Sequence, residues 1–220
     1  MSFRSGSFIA AMTAYPWDPD AALKHLARVE PPLRRVFRAV GPFAMRYEPL
    51  EDVFAALMRS IIYQQLSGKA AATIFGRVAA LFDGEPDAEQ LGALSDEALR
   101  AAGLSGAKTR ALRSLAEHIL SGACPSVEAI SGMPDEEVRE RLTQVRGVGV
   151  WTVNMLLMFR LARPDVMPSA DLGIRKGFAV VMGLEELPAP RELAAATEHW
   201  APWRSVASWY LWRALEVELD

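Results

Sequence analysis

The chain has 220 residues, a net charge of −3, and a composition that is 51% hydrophobic and 23% charged. A chain of this size can bury roughly 70% of its unfolded surface, so one or two compact domains with a real core are expected. Its single cysteine, Cys124, excludes a disulfide framework, a cysteine-rich zinc module and an iron–sulfur cluster held by four thiolates. Because the charge is slightly negative, the protein as a whole does not attract nucleic acid, and any such binding needs a local patch.

The apolar stretches are short. The longest runs without a charged residue, Ser5–Trp17 and Gly147–Phe159, have 13 residues each, whereas a transmembrane helix needs about 20. The stretch Phe8–Met12 is also too short, and too closely preceded by serine and glycine, for a typical signal peptide. We therefore expect no membrane span and a cytoplasmic location.

Helical periodicity dominates from about residue 20 onward, and no alternating run of strand length occurs. Residues 1–19 carry glycine, serine and proline without a period and are predicted to form an N-terminal arm. Asp20 is the predicted cap of the first helix. Pro31-Pro32 opens a second short helix, which stops at Gly41.

From Asp52 onward, paired apolar residues four positions apart predict a buried helix that ends near Gln64-Gln65. Further helices are predicted at about 70–82, from Ser95, over 107–120, and from Pro134 to about 144. We predict an all-α fold with two helical subdomains. Both chain ends, residues 20–51 and 165–220, form one subdomain, and residues 52–164 form a helical bundle.

The most informative segment is L-T-Q-V-R-G-V-G-V-W-T-V-N at 142–154, where one helix ends at a G-V-G turn and another begins at once. Gly147 and Gly149 permit a tight reversal and let a phosphate approach the first N–H groups of the next helix. Such a contact holds a DNA backbone without reading bases. The pattern G-x-G alone fits equally well a turn that needs glycine only as a helix cap.

Asp171 follows Gly149 by 22 residues and comes just after Pro168. An aspartate in this place is suited to cap the following helix, and most aspartates after a loop are only caps. A carboxylate at a helix start is also chemically sensible in catalysis, because it stays ionised and can face a developing positive charge.

With these segments and three more, the chain resembles the helix-hairpin-helix DNA glycosylase superfamily, and in particular its DNA-3-methyladenine glycosylase II branch. The three are F-A-A-L-M-R-S-I-I-Y-Q-Q-L-S at 54–67, L-R-A-A-G-L-S-G-A-K-T-R-A-L-R-S-L-A at 99–116, and H-W-A-P-W-R-S-V-A-S-W-Y-L-W at 199–212. The resemblance covers roughly residues 35–215. It implies a helix-hairpin-helix motif in the bundle and an active site in the cleft between the two subdomains.

The resemblance also implies an activity. Such an enzyme acts as a monomer on double-stranded DNA, rotates an alkylated base such as 3-methyladenine out of the helix, and hydrolyses the N-glycosidic bond. An abasic site remains for base excision repair. Asp171 would be the catalytic residue, stabilising the oxocarbenium-like sugar.

Aromatic residues are expected in the base pocket. Trp151 and Trp212 match the pocket aromatics of this branch, and their faces would attract a cationic base by ~0.5–2 kcal/mol each. Met155 stands where some relatives have a tyrosine. Superfamily members that also cleave the backbone carry a lysine at the position of Trp151, so the resemblance implies a glycosylase without lyase activity.

The remaining expectations concern DNA contacts. The wedge that fills the gap left by the rotated nucleotide is expected among Tyr63, Gln64, Gln65 and Leu66, without a choice between them. Backbone contacts are expected at Gly147, Gly149 and Thr152. The carbonyls of Thr143, Val145 and Val148 are expected to hold a monovalent cation, Na or K, and no other cofactor is expected.

Two alternatives remain open from the sequence. A noncatalytic helix-hairpin-helix module would bind DNA only, but a carboxylate such as that of Asp171 would weaken its binding. A glycosylase for oxidised or mismatched bases would differ only in the base that it releases.

Overall fold

A computed structural model of the protein describes residues 15–219. Within this range every regular element is helical, which confirms the predicted all-α fold. The helices are α1 (Pro19–Val29), α2 (Leu33–Val40), α3 (Val53–Tyr63), α4 (Gly68–Ala79), α5 (Ala88–Ala93), α6 (Asp96–Ala101), α7 (Gly106–Leu120), α8 (Val127–Gly132), α9 (Asp135–Leu142), α10 (Val150–Phe159), α11 (Leu172–Met182), α12 (Pro190–Ala196) and α13 (Arg204–Arg213), with a 3₁₀ turn at Glu198–Trp200.

The described chain divides into two units. The terminal unit takes the chain up to Pro49 and again from Met158 onward, and the central unit is Leu50–Leu157. From the sequence, the two boundaries between the units were predicted after residues 51 and 164.

The second break comes earlier than predicted because the end of α10 and the residues after it form hydrogen bonds with other residues of the terminal unit. The N–H of Glu48 donates to the carbonyl of Phe159 at 3.0 Å. The indole Nε1 of Trp17 donates to the carbonyl of Ala162 at 2.6 Å. Neither of these contacts between distant residues has a signal in the local sequence.

Residues 17–19 were predicted to belong to the N-terminal arm, but they pack against other residues of the terminal unit and begin its first helix. Trp17 packs its ring against that of Trp203, with 5.7 Å between the ring centroids. Asp18 caps α1 instead of Asp20, since a proline fills the first helical position and the Asp18 carboxylate accepts from the N–H of Asp20 at 2.9 Å. The rest of the predicted arm, residues 1–14, lies outside the described residues.

The terminal unit packs around two large aromatic residues, Trp200 and Tyr210, which are fully buried. Each finds a partner for its polar end. The hydroxyl of Tyr210 donates to the carbonyl of Gly41 at 2.8 Å, and Nε1 of Trp200 donates to the carboxylate of Glu30 at 3.1 Å. Burying an aromatic ring while satisfying its polar atom fixes its orientation, so the position of α13 in this core is well defined.

In the same unit, α11 and α13 approach unusually closely. A Cβ atom on Gly177 of α11 would lie 2.0 Å from the carbonyl oxygen of Leu211 on α13. Only a residue without a side chain permits this contact. It brings the first turn of α11 beside the last turn of α13, where Asp171 and Trp212 lie.

The central unit is arranged around α7, which packs against α3, α5 and α6. Its apolar stripe meets that of α3, and Leu57, Ile61, Leu112 and Leu115 are fully buried. The predicted start of α3 is confirmed, since the Asp52 carboxylate accepts from a first-turn N–H. Two helices of six residues, α5 and α8, were not predicted, because so short a segment shows little periodicity.

No helix in the stretch from residue 15 to 219 combines the length and the apolar character that a membrane span requires.

We expect that Gly177→Ala lowers the free energy of unfolding by about 1–3 kcal/mol, because the added methyl group forces α11 away from α13. Urea denaturation measures this change. Gly76→Ala in α4 is the matched control: its Cβ meets nothing within 4 Å, so it raises stability by up to about 1 kcal/mol. Equal stability of Gly177→Ala and the wild type would show that the two helices tolerate a wider spacing.

Candidate active site

Asp171 occupies the N-cap of α11, as the sequence predicted. Its own N–H donates to the carbonyl of Pro168 at 2.8 Å, so a proline-bounded turn sets the backbone. The carboxylate oxygen Oδ1 accepts from the N–H of Ile174 at 2.8 Å and from Nε1 of Trp212 at 3.0 Å. Two donors from different elements therefore fix a partly buried carboxylate at the positive end of a helix.

Trp212 has a role that the sequence did not indicate. It was predicted as a pocket aromatic, and the structure directs its N–H to the Asp171 carboxylate. Its ring stacks on that of Phe159, with 6.1 Å between the centroids and 25° between the planes. Trp212 is therefore placed to hold Asp171 in position.

Gly173 makes the hydrogen bond between Trp212 and Asp171 possible, and this role of Gly173 was not predicted from the sequence. A Cβ on Gly173 would lie 2.8 Å from Cδ1 of Trp212 and 3.0 Å from Oδ1 of Asp171. Any larger residue would displace the indole, the carboxylate or both. The only signal in the sequence is the D-x-G spacing at 171–173, which by itself also fits an ordinary helix start.

The central unit contains a cavity of about 560 Å³, a size that accommodates a small organic ligand. It joins residues that the sequence assigned to three different tasks: the wedge, the base pocket and the DNA backbone contact. The lining residues come from α3, α10 and the turn between α3 and α4: Ser60, Tyr63, Gln64, Gln65, Trp151, Thr152 and Met155. Trp151 is 50% exposed, so about half of its surface is accessible to solvent.

The turn at residues 64–67, between α3 and α4, is hereafter called the α3–α4 corner. Gln65 has a φ of 56°, a left-handed conformation that is costly for a residue with a side chain. Its side chain and that of Leu66 are exposed. On α3, Tyr63 packs under the guanidinium of Arg59 at 4.4 Å. The corner therefore presents two side chains to solvent on a constrained backbone, as a wedge requires.

Lys108 on α7 secures this corner. Its Nζ donates to the carbonyls of Ile62 and Gln64 at 2.6 and 2.8 Å. Desolvation by burial lowers the pKa of Lys108. Its ammonium group thus satisfies carbonyl groups at the end of α3.

The turn at residues 143–149, between α9 and α10, is hereafter called the hairpin turn. Gly147 has a φ of 80°, and a Cβ there would lie 3.1 Å from that of Ala111, so the fold itself requires this glycine. Gly149 has no such requirement, since its Cβ would meet nothing within 4 Å. Open space beside Gly149, next to the first-turn N–H groups of α10, suits the approach of a phosphate.

Thr152 is oriented inward. It is 6% exposed, and its hydroxyl lies 3.5 Å from Nε2 of Gln64. The predicted contact of Thr152 with the DNA backbone is therefore restricted to its main-chain N–H in the first turn of α10. The predicted cation-binding carbonyls belong to the hairpin turn, where Val145 also accepts from the N–H of Val148 at 3.0 Å.

Among residues 15–219 no group of three or more His, Cys, Asp or Glu side chains is arranged to hold a metal ion. The only thiol of the sequence, Cys124, is buried, and burial raises its pKa to about 11. It is therefore protonated at neutral pH and is a poor nucleophile.

Comparison with known proteins gives a consistent result. Residues 58–202 match the model of the HhH-GPD superfamily of base excision DNA repair proteins. The chain is 37% identical over 196 residues to DNA-3-methyladenine glycosylase 1 of Schizosaccharomyces pombe, covering 88% of this chain and 86% of the relative.

Two solved structures are similar throughout. The 3-methyladenine DNA glycosylase of S. pombe in complex with abasic DNA superposes with a TM-score of 0.79 at 36% identity, over 90% of this chain and 97% of the other. A DNA-3-methyladenine glycosidase of Bacillus halodurans gives a TM-score of 0.80 at 35% identity, over 91% of each chain.

We expect that Gly173→Ala breaks the hydrogen bond from Trp212 to Asp171, because the new methyl group occupies the space of the indole. In ¹⁵N spectra the indole N–H signal of Trp212 should then shift and exchange faster with solvent. Gly76→Ala, which meets no neighbour, should leave that signal unchanged. An indole signal in Gly173→Ala that overlays the wild-type signal would contradict the packing described for this residue.

Proposed function

The chain belongs to the HhH-GPD superfamily of base excision DNA repair proteins, in its DNA-3-methyladenine glycosylase branch, and we propose that it excises alkylated bases from double-stranded DNA. The reaction is hydrolysis of the N-glycosidic bond. The bond from C1′ of the deoxyribose to the base nitrogen breaks, and its electron pair stays on the departing base, which becomes neutral. A water oxygen bonds to C1′, and one proton of that water passes to the solvent. The products are the free base and an abasic site.

The observation that carries this proposal is the anchored carboxylate of Asp171. As the base leaves, positive charge develops on the deoxyribose, and a carboxylate that is already oriented lowers the energy of that state without having to reorganise. The donors from Ile174 and Trp212 supply this orientation. We assign Asp171 as the catalytic residue and Trp212 as a positioning residue.

The cavity in the central unit is assigned to the extruded base. Alkylation of a ring nitrogen gives a purine a positive charge and makes it a good leaving group. The exposed indole of Trp151 offers a negative ring face, which attracts a cation more strongly than a neutral base. Met155 adds a polarizable thioether to the same lining. This chemistry favours alkylated purines over the normal bases.

We assign to this protein hydrolysis alone, without strand cleavage. A lyase forms a Schiff base with the sugar and needs an amine in the site. Trp151 stands where such a lysine is found in related enzymes, and none of the described residues that line the cavity carries an amine. Hydrolysis of this kind uses water and requires no cofactor.

DNA is bound, in this proposal, through the hairpin turn and the α3–α4 corner. The first-turn N–H groups of α10 beside Gly149 hold a phosphate, and Gln65 or Leu66 fills the gap left by the extruded nucleotide. The hairpin carbonyls of Thr143, Val145 and Val148 are hard oxygen donors that suit a Na or K ion. We propose further that the protein acts as a monomer in the cytoplasm.

We expect Asp171→Asn to reduce the rate of base release roughly 10²–10³-fold. Asparagine caps a helix as well as aspartate does, so the fold and the binding of duplexes with an abasic site should be retained. Single-turnover release of free base from methylated DNA measures the rate.

The control for this variant is Asp18→Asn, which makes the same change at the cap of α1 and should release base at the wild-type rate. Undiminished release by Asp171→Asn would remove Asp171 from the mechanism. If the wild-type protein releases only oxidised or mismatched bases, the substrate class is wrong.

The proposal also predicts the state of the product. After complete base release the DNA strand should remain intact until alkali is added, and borohydride should trap no covalent adduct, because no amine attacks the sugar. Denaturing gels and mass spectrometry of the reaction make this measurement. Strand breaks without alkali, or a trapped adduct, would contradict hydrolysis alone.

A further inference from the structure

The side chain of Gln64 bridges two elements that bind DNA in the proposed function. Gln64 is the first residue after α3 and begins the α3–α4 corner. Its Nε2 donates to the carbonyl of Gly147 in the hairpin turn at 2.9 Å and lies 3.5 Å from the hydroxyl of Thr152. One amide group thus links the corner to the hairpin turn and lies near the first turn of α10.

The bridge joins two points that are themselves firmly held. Lys108 restrains the main chain of Gln64, because its Nζ donates a hydrogen bond to the Gln64 carbonyl at 2.8 Å. Gly147 is confined by its positive φ and by Ala111 beneath it. Because both ends are fixed, the hydrogen bond sets a distance between the corner and the hairpin turn.

This distance matters because Gln65 directly follows the bridge. Its left-handed backbone is held only as long as the surrounding contacts impose it. A wedge separates stacked bases only if the protein is also held on the DNA backbone, here through the phosphate bound at the hairpin turn. The link between the corner and the hairpin turn therefore determines how far the wedge can displace the bases.

We propose that Gln64 is a positioning residue that couples the α3–α4 corner to the hairpin turn, so that wedge insertion and phosphate binding act at one fixed spacing. This inference rests on the proposed function. It does not assign Gln64 to the recognition of the base, since its amide donor is directed to the protein's own carbonyl. The predicted consequence is a defect in extruding the nucleotide, while bond cleavage itself is unaffected.

The test uses two variants. Gln64→Met keeps the length of the side chain and removes the donor. Gln64→Glu replaces the donor by a carboxylate, so that two acceptors face each other at the carbonyl of Gly147. The control is Gln90→Met, which removes another amide bridge of the central unit, from Gln90 to Asp83 and Asp87. Single-turnover rates are compared for an alkylated purine opposite its normal partner and the same purine in a mismatch.

On the paired substrate Gln64→Met should be slower by roughly tenfold, because the hydrogen bond that sets the spacing between the corner and the hairpin turn is lost, and Gln64→Glu should be slower still. In the mismatch, where extrusion costs little, the loss should be less than about threefold. Gln90→Met should match the wild type on both substrates. Equal losses on the two substrates, or no loss on either, would overturn the proposal.

A second measurement does not depend on activity. Hydrogen exchange at the amides of residues 147–152 should be faster in Gln64→Met than in the wild type or Gln90→Met, and unchanged exchange would overturn the coupling. If the wild-type protein releases no alkylated base, the proposed function fails, and this exchange experiment still decides whether Gln64 holds the two elements together.

Discussion

The proposed reaction depends on one feature, the anchoring of the Asp171 carboxylate by hydrogen bonds from Ile174 and Trp212. In a protein that binds a polyanion, a negative charge in the binding site lowers the affinity, and this cost is one reason why we assign the charge of Asp171 to the reaction. The N–H of Ile174 and the indole of Trp212 fix that charge before substrate arrives. Gly173 and Gly177 provide the space for it, since side chains at either position would collide with Trp212 or with the backbone of α13.

The central unit contains the two features that the proposal assigns to DNA binding, a cavity and a glycine turn at a helix start. Its cavity is lined by α3, α10 and the α3–α4 corner, and the fold requires Gly147 but leaves space open at Gly149. An extruded base needs an accommodating surface, and a bound backbone needs donors at a helix start. We assign the first task to the cavity and the second to the hairpin turn, and Lys108 and Gln64 make hydrogen bonds to the segments that border both.

The helices could be predicted from the sequence wherever a cap and an apolar stripe occur together, as at Asp52, Ser95 and Asp171. These signals are local, and the hydrogen bonds that produce them span three residues. Short helices such as α5 and α8 have too few residues to show a period. The chain after α10 was assigned to the wrong unit because its partners lie far away in the sequence.

The sequence suggested which residues form the candidate site but not the hydrogen bonds that join them. Asp171 and the two hairpin glycines were proposed from local patterns and Trp151 from a resemblance, whereas the bond between Asp171 and Trp212 joins residues 41 positions apart. The bridge from Gln64 to Gly147 spans 83 positions. Such contacts follow from packing of whole helices, and no local pattern encodes them.

The central claim, that the charge of Asp171 stabilises a positively charged sugar, is tested most directly by binding a mimic of that state. Duplexes carrying a cationic pyrrolidine abasic analogue or a neutral tetrahydrofuran analogue are compared for the wild type and Asp171→Asn. The account predicts that the wild type prefers the cationic analogue by at least about tenfold and that Asp171→Asn loses this preference. A preference that survives in Asp171→Asn would contradict it.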